Sequence, residues 1–231
     1  ETLGNRHPDT LTSIGNLGLL LKSKGDLTAA EPLCREALEV ERETLGNRHQ
    51  NTLTSIGNLG LLLYAKGDLA AAEPLYREAL EVERETLGNR HPSTLGSISN
   101  LGALLKSKGD LAAAEPLLRE ALEVKRETLG NRHPDTLLSI DNLGALLYDK
   151  GDLAAAELLF REVLEGRRAT LGSWNMDTLI SINIFCNLLI HRRLELTCKY
   201  IGSSCRSPSL VRMTAVSCAA VCSAIVCMYL R

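Results

Sequence analysis

The chain has 231 residues, of which 45% are hydrophobic, 23% charged and only 3% aromatic. That balance suits a globular protein and excludes a core built on large rings. The formal net charge of −2 hides two parts: from His191 onward six basic residues face one acidic residue, giving +5, and everything before carries −7. A net-negative body cannot draw its affinity from neutralising phosphates, so no nucleic-acid partner is expected. Seven cysteines, six of them between Cys186 and Cys227, do not form the even, spaced set of a secreted disulfide framework. The first residue is Glu1, partway into a repeating unit, so the sequence reads as a fragment, and no signal peptide is visible in it.

The opening segment ETLGNRHP recurs at 85–92 and 127–134, and as ETLGNRHQ at 43–50, always 42 residues apart. Such self-similarity is the mark of a repeat array. The units run over about 1–42, 43–84, 85–126 and 127–168, with a degenerate fifth at 169–190. In each, a first helix is predicted from the spacing of Ile14, Leu17 and Leu21, with Gly18 on the same side. Asp9 is its expected N-cap, after Pro8. Lys24-Gly25 ends it, with Gly25 free to turn left-handed. Asp26 then caps a second helix whose inner face carries Leu27, Ala30, Leu33, Cys34, Ala37 and Leu38. The near-absence of a loop folds the two helices into an antiparallel hairpin. Gly18 and Ala30 fall where the two helices cross, and Ala37 where the next hairpin docks. Pro32, Pro74 and Pro116 lie early in the second helix and predict either a slight bend or a helix that restarts near Glu31. Thr44-Leu45 finishes the second helix and Gly46 stops it. A single hairpin cannot bury its apolar face, whereas stacked neighbours can.

The stretch NLGLLLKSKGDLTAAEPLCREALEV at 16–40 and its copies resemble the tetratricopeptide repeat, in the 42-residue variety of kinesin light chains. Gly18, Ala30 and Ala37 match that family's small positions; Leu17, Leu21 and Cys34 match its large apolar ones. The resemblance spans about residues 1–190. It implies an all-α fold, an α-α superhelical solenoid of tetratricopeptide-type helix hairpins, whose first helices line a concave groove for peptides. The fourth unit departs from the pattern at Leu158 and Val163. The fifth lacks the Gly-Asp turn at Arg192-Arg193, so it should supply one helix that covers the end of the array.

On the groove flank of the first helix, Asn16 recurs as Asn58, Asn100 and Asn142. These amides, each with donors and an acceptor, are expected either to grip a peptide backbone or to tie adjacent hairpins together. Lys22, Tyr64, Lys106 and Tyr148 alternate at one nearby position and are expected on exposed surface, where they add charge and stacking area to the groove. Equivalent histidines at 7, 49, 91 and 133 lie about 8–10 Å apart or more, one helix-packing distance, and cannot converge on a zinc ion whose nitrogen ligands sit at about 2.0–2.1 Å. They read as connector residues that pack or cap. Glu31, Arg35 and Glu39 are spaced for ion pairs along a solvated helix face. No catalytic residue, metal site or cofactor is expected, since near-identical repeats offer a strip where catalysis needs one convergent site; the chain reads as no enzyme. Trp174, the only tryptophan, reads as a hydrophobic plug in the last connector rather than a binding anchor.

From 191 to 231 the composition diverges. The segment 213–230 holds 18 uncharged residues, barely enough to span a bilayer. It is either a tail anchor, which would hold the array in the cytoplasm, or a tail unrelated to the fold. A membrane enters only through that segment, and oligomeric state is left open. The function implied is a protein–protein interaction scaffold that takes a peptide or partner domain, in the cytoplasm. The alternative is a structural spacer or tail-anchored membrane scaffold with its groove unused.

Overall fold

A computed structural model describes residues 7–201, and all nine helices found among them are α-helical, without strands. The chain divides into two compact units, Glu1–Ala121 and Leu122–Arg231. The first contains α1 (Pro8–Ser23), α2 (Leu27–Leu45), α3 (Gln50–Lys66), α4 (Leu69–Leu87), α5 (Pro92–Ser107) and most of α6 (Leu111–Leu129). The second contains the end of α6, then α7 (Pro134–Asp149), α8 (Leu153–Leu171) and α9 (Met176–Ile201). Within each unit helices pack on their chain neighbours, and in the first α1, α3 and α5 also lie side by side. This is the all-α hairpin architecture expected from the repeats. The fifth unit supplies the single helix α9. No described helix is long and apolar enough to cross a membrane, and the segment 213–230 lies outside the described residues.

The hairpin turns follow the expected chemistry. Gly25, Gly67, Gly109 and Gly151 sit at φ 82 to 84°, the left-handed region that costs glycine nothing. One residue on, Asp26, Asp68 and Asp152 accept a hydrogen bond through Oδ1 from the backbone N–H three residues ahead, at 3.0 Å, and so start the second helices. The entry to the first helices differs from expectation. Asp9 lies inside α1, past the cap position. In the later repeats the cap is the histidine: Nδ1 of His49, His91 and His133 accepts from the N–H two residues on, at 3.2 Å. The imidazole meets that N–H because the cap backbone is extended, near φ −70°, ψ 140°. Asn175 does the same for α9 through Oδ1 at 2.9 Å. Pro32, Pro74 and Pro116 each lie within one uninterrupted helix, so the expected restart does not occur.

Inside each hairpin a glycine of the first helix faces a larger residue sixteen positions later. A Cβ on Gly60 would lie 2.6 Å from the Tyr76 ring, on Gly102 2.7 Å from Leu118, and on Gly144 2.9 Å from Phe160. Tyr76 and Leu118 are fully buried there, with Ala72 and Ala114. Burial pushes the Tyr76 phenol well above its ordinary range. The other expected core residues, Ile56, Leu59 and Leu63 and their counterparts at 98, 101, 105 and 140, 143, 147, are buried. Leu17 is not: it is 47% exposed. Its equivalents Leu59 and Leu101 lie on helices that pack on the preceding hairpin, α3 on α2 and α5 on α4, and no helix precedes α1 among the described residues.

Ion pairs link successive hairpins. Glu31 pairs with Arg35 on its own helix, as expected, but also with Lys66 of the next hairpin. Glu73 repeats this with Arg77 and Lys108, and Glu157 with Arg161 and Arg192. A second rung runs Arg42–Glu78, Arg84–Glu120 and Arg126–Glu162, at 2.6 to 2.7 Å. Lys66 and Arg35 hold the Glu31 carboxyl below its ordinary range, and Lys108 and Arg77 do the same for Glu73.

Three outcomes check this account. Gly102→Leu should cost about 1–3 kcal/mol through overpacking, read as a lower urea midpoint, and less in a Leu118→Ala background, because the two residues share one contact. His91→Ala should cost about 1 kcal/mol, whereas His91→Asn should stay near wild type, since asparagine already caps α9. Glu73→Gln should lower stability at neutral pH by up to about 1 kcal/mol per pair lost. A carboxyl with a depressed folded pKa contributes above its unfolded value and stops contributing as pH falls through the folded one. The gap between variant and wild type should therefore close on acidification, which thermal melts at stepped pH would show.

Candidate functional site

The first helices of the first unit present one continuous row of polar residues. Asn16 is exposed, and Asn58 and Asn100 are half-buried. Asn16 and Asn58 line one cleft of about 150 Å³ between α1 and α3, with Gly15, Ser55 and Glu41 also contributing. In the second unit Asn142 and Tyr148 line a larger cavity of about 450 Å³ with Asp141, Phe160 and Ile184. None of the four repeated amides has a hydrogen bond to another described residue.

The alternating lysine and tyrosine position is less exposed than expected. Lys22, Tyr64, Lys106 and Tyr148 are all half-buried. Both tyrosines lean on the next hairpin. The Tyr64 hydroxyl lies 2.8 Å from Ser107 Oγ, and the Tyr148 ring stacks at a tilt on His191, with centroids 5.5 Å apart. Stacking places another first helix beside each ring, so an aromatic there covers a neighbour before it can meet a ligand.

A third set of residues escaped the sequence reading. Near its end, each second helix carries a charged side chain among apolar ones: Glu41, Glu83, Lys125 and Arg167. The first three are at least nine-tenths buried. The signal was present, since Ala30, Cys34, Ala37, Leu38 and residue 41 continue one helical stripe. Their partners differ. Arg167 donates to Ser181 Oγ at 2.7 Å and pairs with Asp141 Oδ2 at 2.6 Å; burial pushes the Asp141 carboxyl up despite that arginine. Lys125 Nζ donates to Ser139 Oγ at 2.9 Å, and burial lowers its pKa. Glu83 is pushed up by burial although Ser97 donates to it. Glu41 and Glu83 each keep one buried carboxylate oxygen, Oε2, without a hydrogen-bond partner.

Trp174 corrects another expectation. It is 74% exposed and plugs nothing; Leu171, Met176 and Ile180, near it in the sequence, are exposed as well. The connector holds it outward because Ser173 is tied to Arg168 Nε and Asn175 is committed to the α9 cap. Among the described residues no three metal-ligating side chains cluster.

This geometry can be set beside known proteins. No curated protein matches the chain in sequence. A putative kinesin light chain of Podosopora anserina with nearly identical tetratricopeptide-like repeats has a similar crystal structure: TM-score 0.71, 24% identity, over 84% of this chain and 92% of that one. A single-substitution variant of that same protein gives 0.70 and 21% over 93% and 96%. BtubC (BKLC) from P. vanneervenii gives 0.68 and 22% over 94% and 80%. These likenesses concern the fold alone. The tetratricopeptide repeat model matches at 9–85, 57–127 and 93–169. With helices paired into hairpins throughout the matched residues, the chain belongs to the tetratricopeptide repeat family.

Proposed function

We propose that this chain is a protein–protein interaction scaffold that holds an extended peptide of its partner along the first-helix face. The observation that carries this reading is the amide row of the first unit: Asn16, Asn58 and Asn100 recur every 42 residues, with Asn142 at the equivalent position of the second unit, and none is tied up by another described residue. An amide offers two donors and an acceptor, which suits a peptide backbone whatever its side chains. The tyrosines act indirectly, by fixing each first helix against the next. The reading needs no bond-making step and names no catalytic residue or cofactor.

Asn58→Ala combined with Asn100→Ala tests it. Partner proteins captured from a cell extract by the full chain should be lost from the variant, while the melting temperature stays close to wild type. If the amides instead stabilised the array, truncation would cost about 1–3 kcal/mol per buried unsatisfied group left behind. A lower melting temperature with capture unchanged would overturn the groove at these residues.

A further inference from the structure

The charged stripe at the ends of the second helices differs between repeats in a way that points to a ligand. In the fourth repeat the charge of the stripe is met from within: Asp141 on α7 neutralises Arg167 on α8, and both are mostly buried. The first repeat has Glu41 where the fourth has Arg167, and Gly15 where it has Asp141. Gly15 leaves open space: a Cβ there would meet nothing within 4 Å. Glu41 is 5% exposed, lines the cleft between α1 and α3, and has a buried oxygen without a partner. It is the only charged group among the described residues lining that cleft. A buried carboxylate without a counter-charge is costly, and the fourth repeat shows that this fold accommodates an ion pair at the same place.

We infer that the cleft between α1 and α3 seats a cationic side chain of the bound peptide, an arginine or lysine, on the Glu41 carboxylate, flanked by the amides of Asn16 and Asn58. The inference rests on the groove reading above and adds the charge of the partner. Glu83, one repeat on, keeps the same unpaired oxygen, but Ser97 donates to its carboxyl and His91 lies near it. The charge of −7 before His191 favours the approach of a basic segment.

The experiment uses the full chain and three end-blocked decapeptides of alanine and serine, carrying two arginines, two citrullines or two glutamates. Citrulline keeps the shape of arginine without its charge. By isothermal titration the arginine peptide should bind at least tenfold more tightly than the other two. Glu41→Gln should remove most of that preference. The pair Gly15→Asp with Glu41→Arg transplants the internal ion pair of the fourth repeat. It should fold with a melting temperature at or above wild type and show no arginine preference. Equal binding of the three peptides, or an arginine preference that survives in either variant, overturns the inference and leaves the groove reading standing. Absence of binding by all three overturns it as well, and the groove reading is then decided by the asparagine variants alone.

Discussion

A missing side chain sets the geometry of each hairpin. Gly18, Gly60, Gly102 and Gly144 let the second helix approach until Cys34, Tyr76, Leu118 or Phe160 lies against the bare backbone. Glycine in a helix interior is unfavourable by about 1 kcal/mol relative to alanine, and burial of a large ring or leucine against it offsets that. The partner varies in size while the glycine does not. One side of the contact is backbone and cannot give way, whereas the other is a side chain with room to adjust. Position 186 supports the same logic. There the equivalent residue is Cys186, on α9, and among the described residues no second helix follows to demand the space.

Once the hairpin is fixed, its exposed ends decide what the next hairpin meets. The glutamate in the second turn of the second helix (Glu31, Glu73, Glu157) is held by an arginine of its own helix and by Lys66, Lys108 or Arg192 of the next repeat. Exposed pairs of this kind are individually weak. Repetition at one spacing makes them useful as register marks: a hairpin shifted along its neighbour would lose both rungs of the ladder at once. The same stacking aligns the first helices of the first unit side by side, and so turns single asparagines into a row.

The charged stripe at 41, 83, 125 and 167 shows how near-identical units acquire different surfaces. The backbone is the same at each position, yet the sequence passes from acid to base, and the facing residue from Gly15 and Gly57 to Ser99 and Asp141. Where both partners are present the charge is met within the chain. Where glycine replaces the acid and glutamate the base, a carboxylate is left at the bottom of an open cleft. Two substitutions per unit thus exchange an internal ion pair for an unpaired carboxylate with no change of fold.

The period of 42, the glycine turns, the aspartate caps of the second helices and the apolar stripe were legible in the sequence, because each depends on residues within one or two helical turns of each other; the Asp9 cap was not. So was the asparagine row, once the period was known. What tertiary structure decided was which neighbour each side chain meets. Leu17 carries the pattern of a core residue and is exposed, because burial of that face requires a preceding hairpin. Trp174 has the composition of a plug and stands outward, because its connector is tied to Arg168 and to the α9 cap. His49 and its counterparts cap helices only because the extended backbone ahead of them aims the imidazole inward. Glu41 lies on the stripe that periodicity marks, but its isolation depends on the space left by Gly15 and the packing of α1 and α3. Helical periodicity assigns a side chain to a face; the partner it finds there is fixed by packing between elements, which one repeat in isolation does not contain.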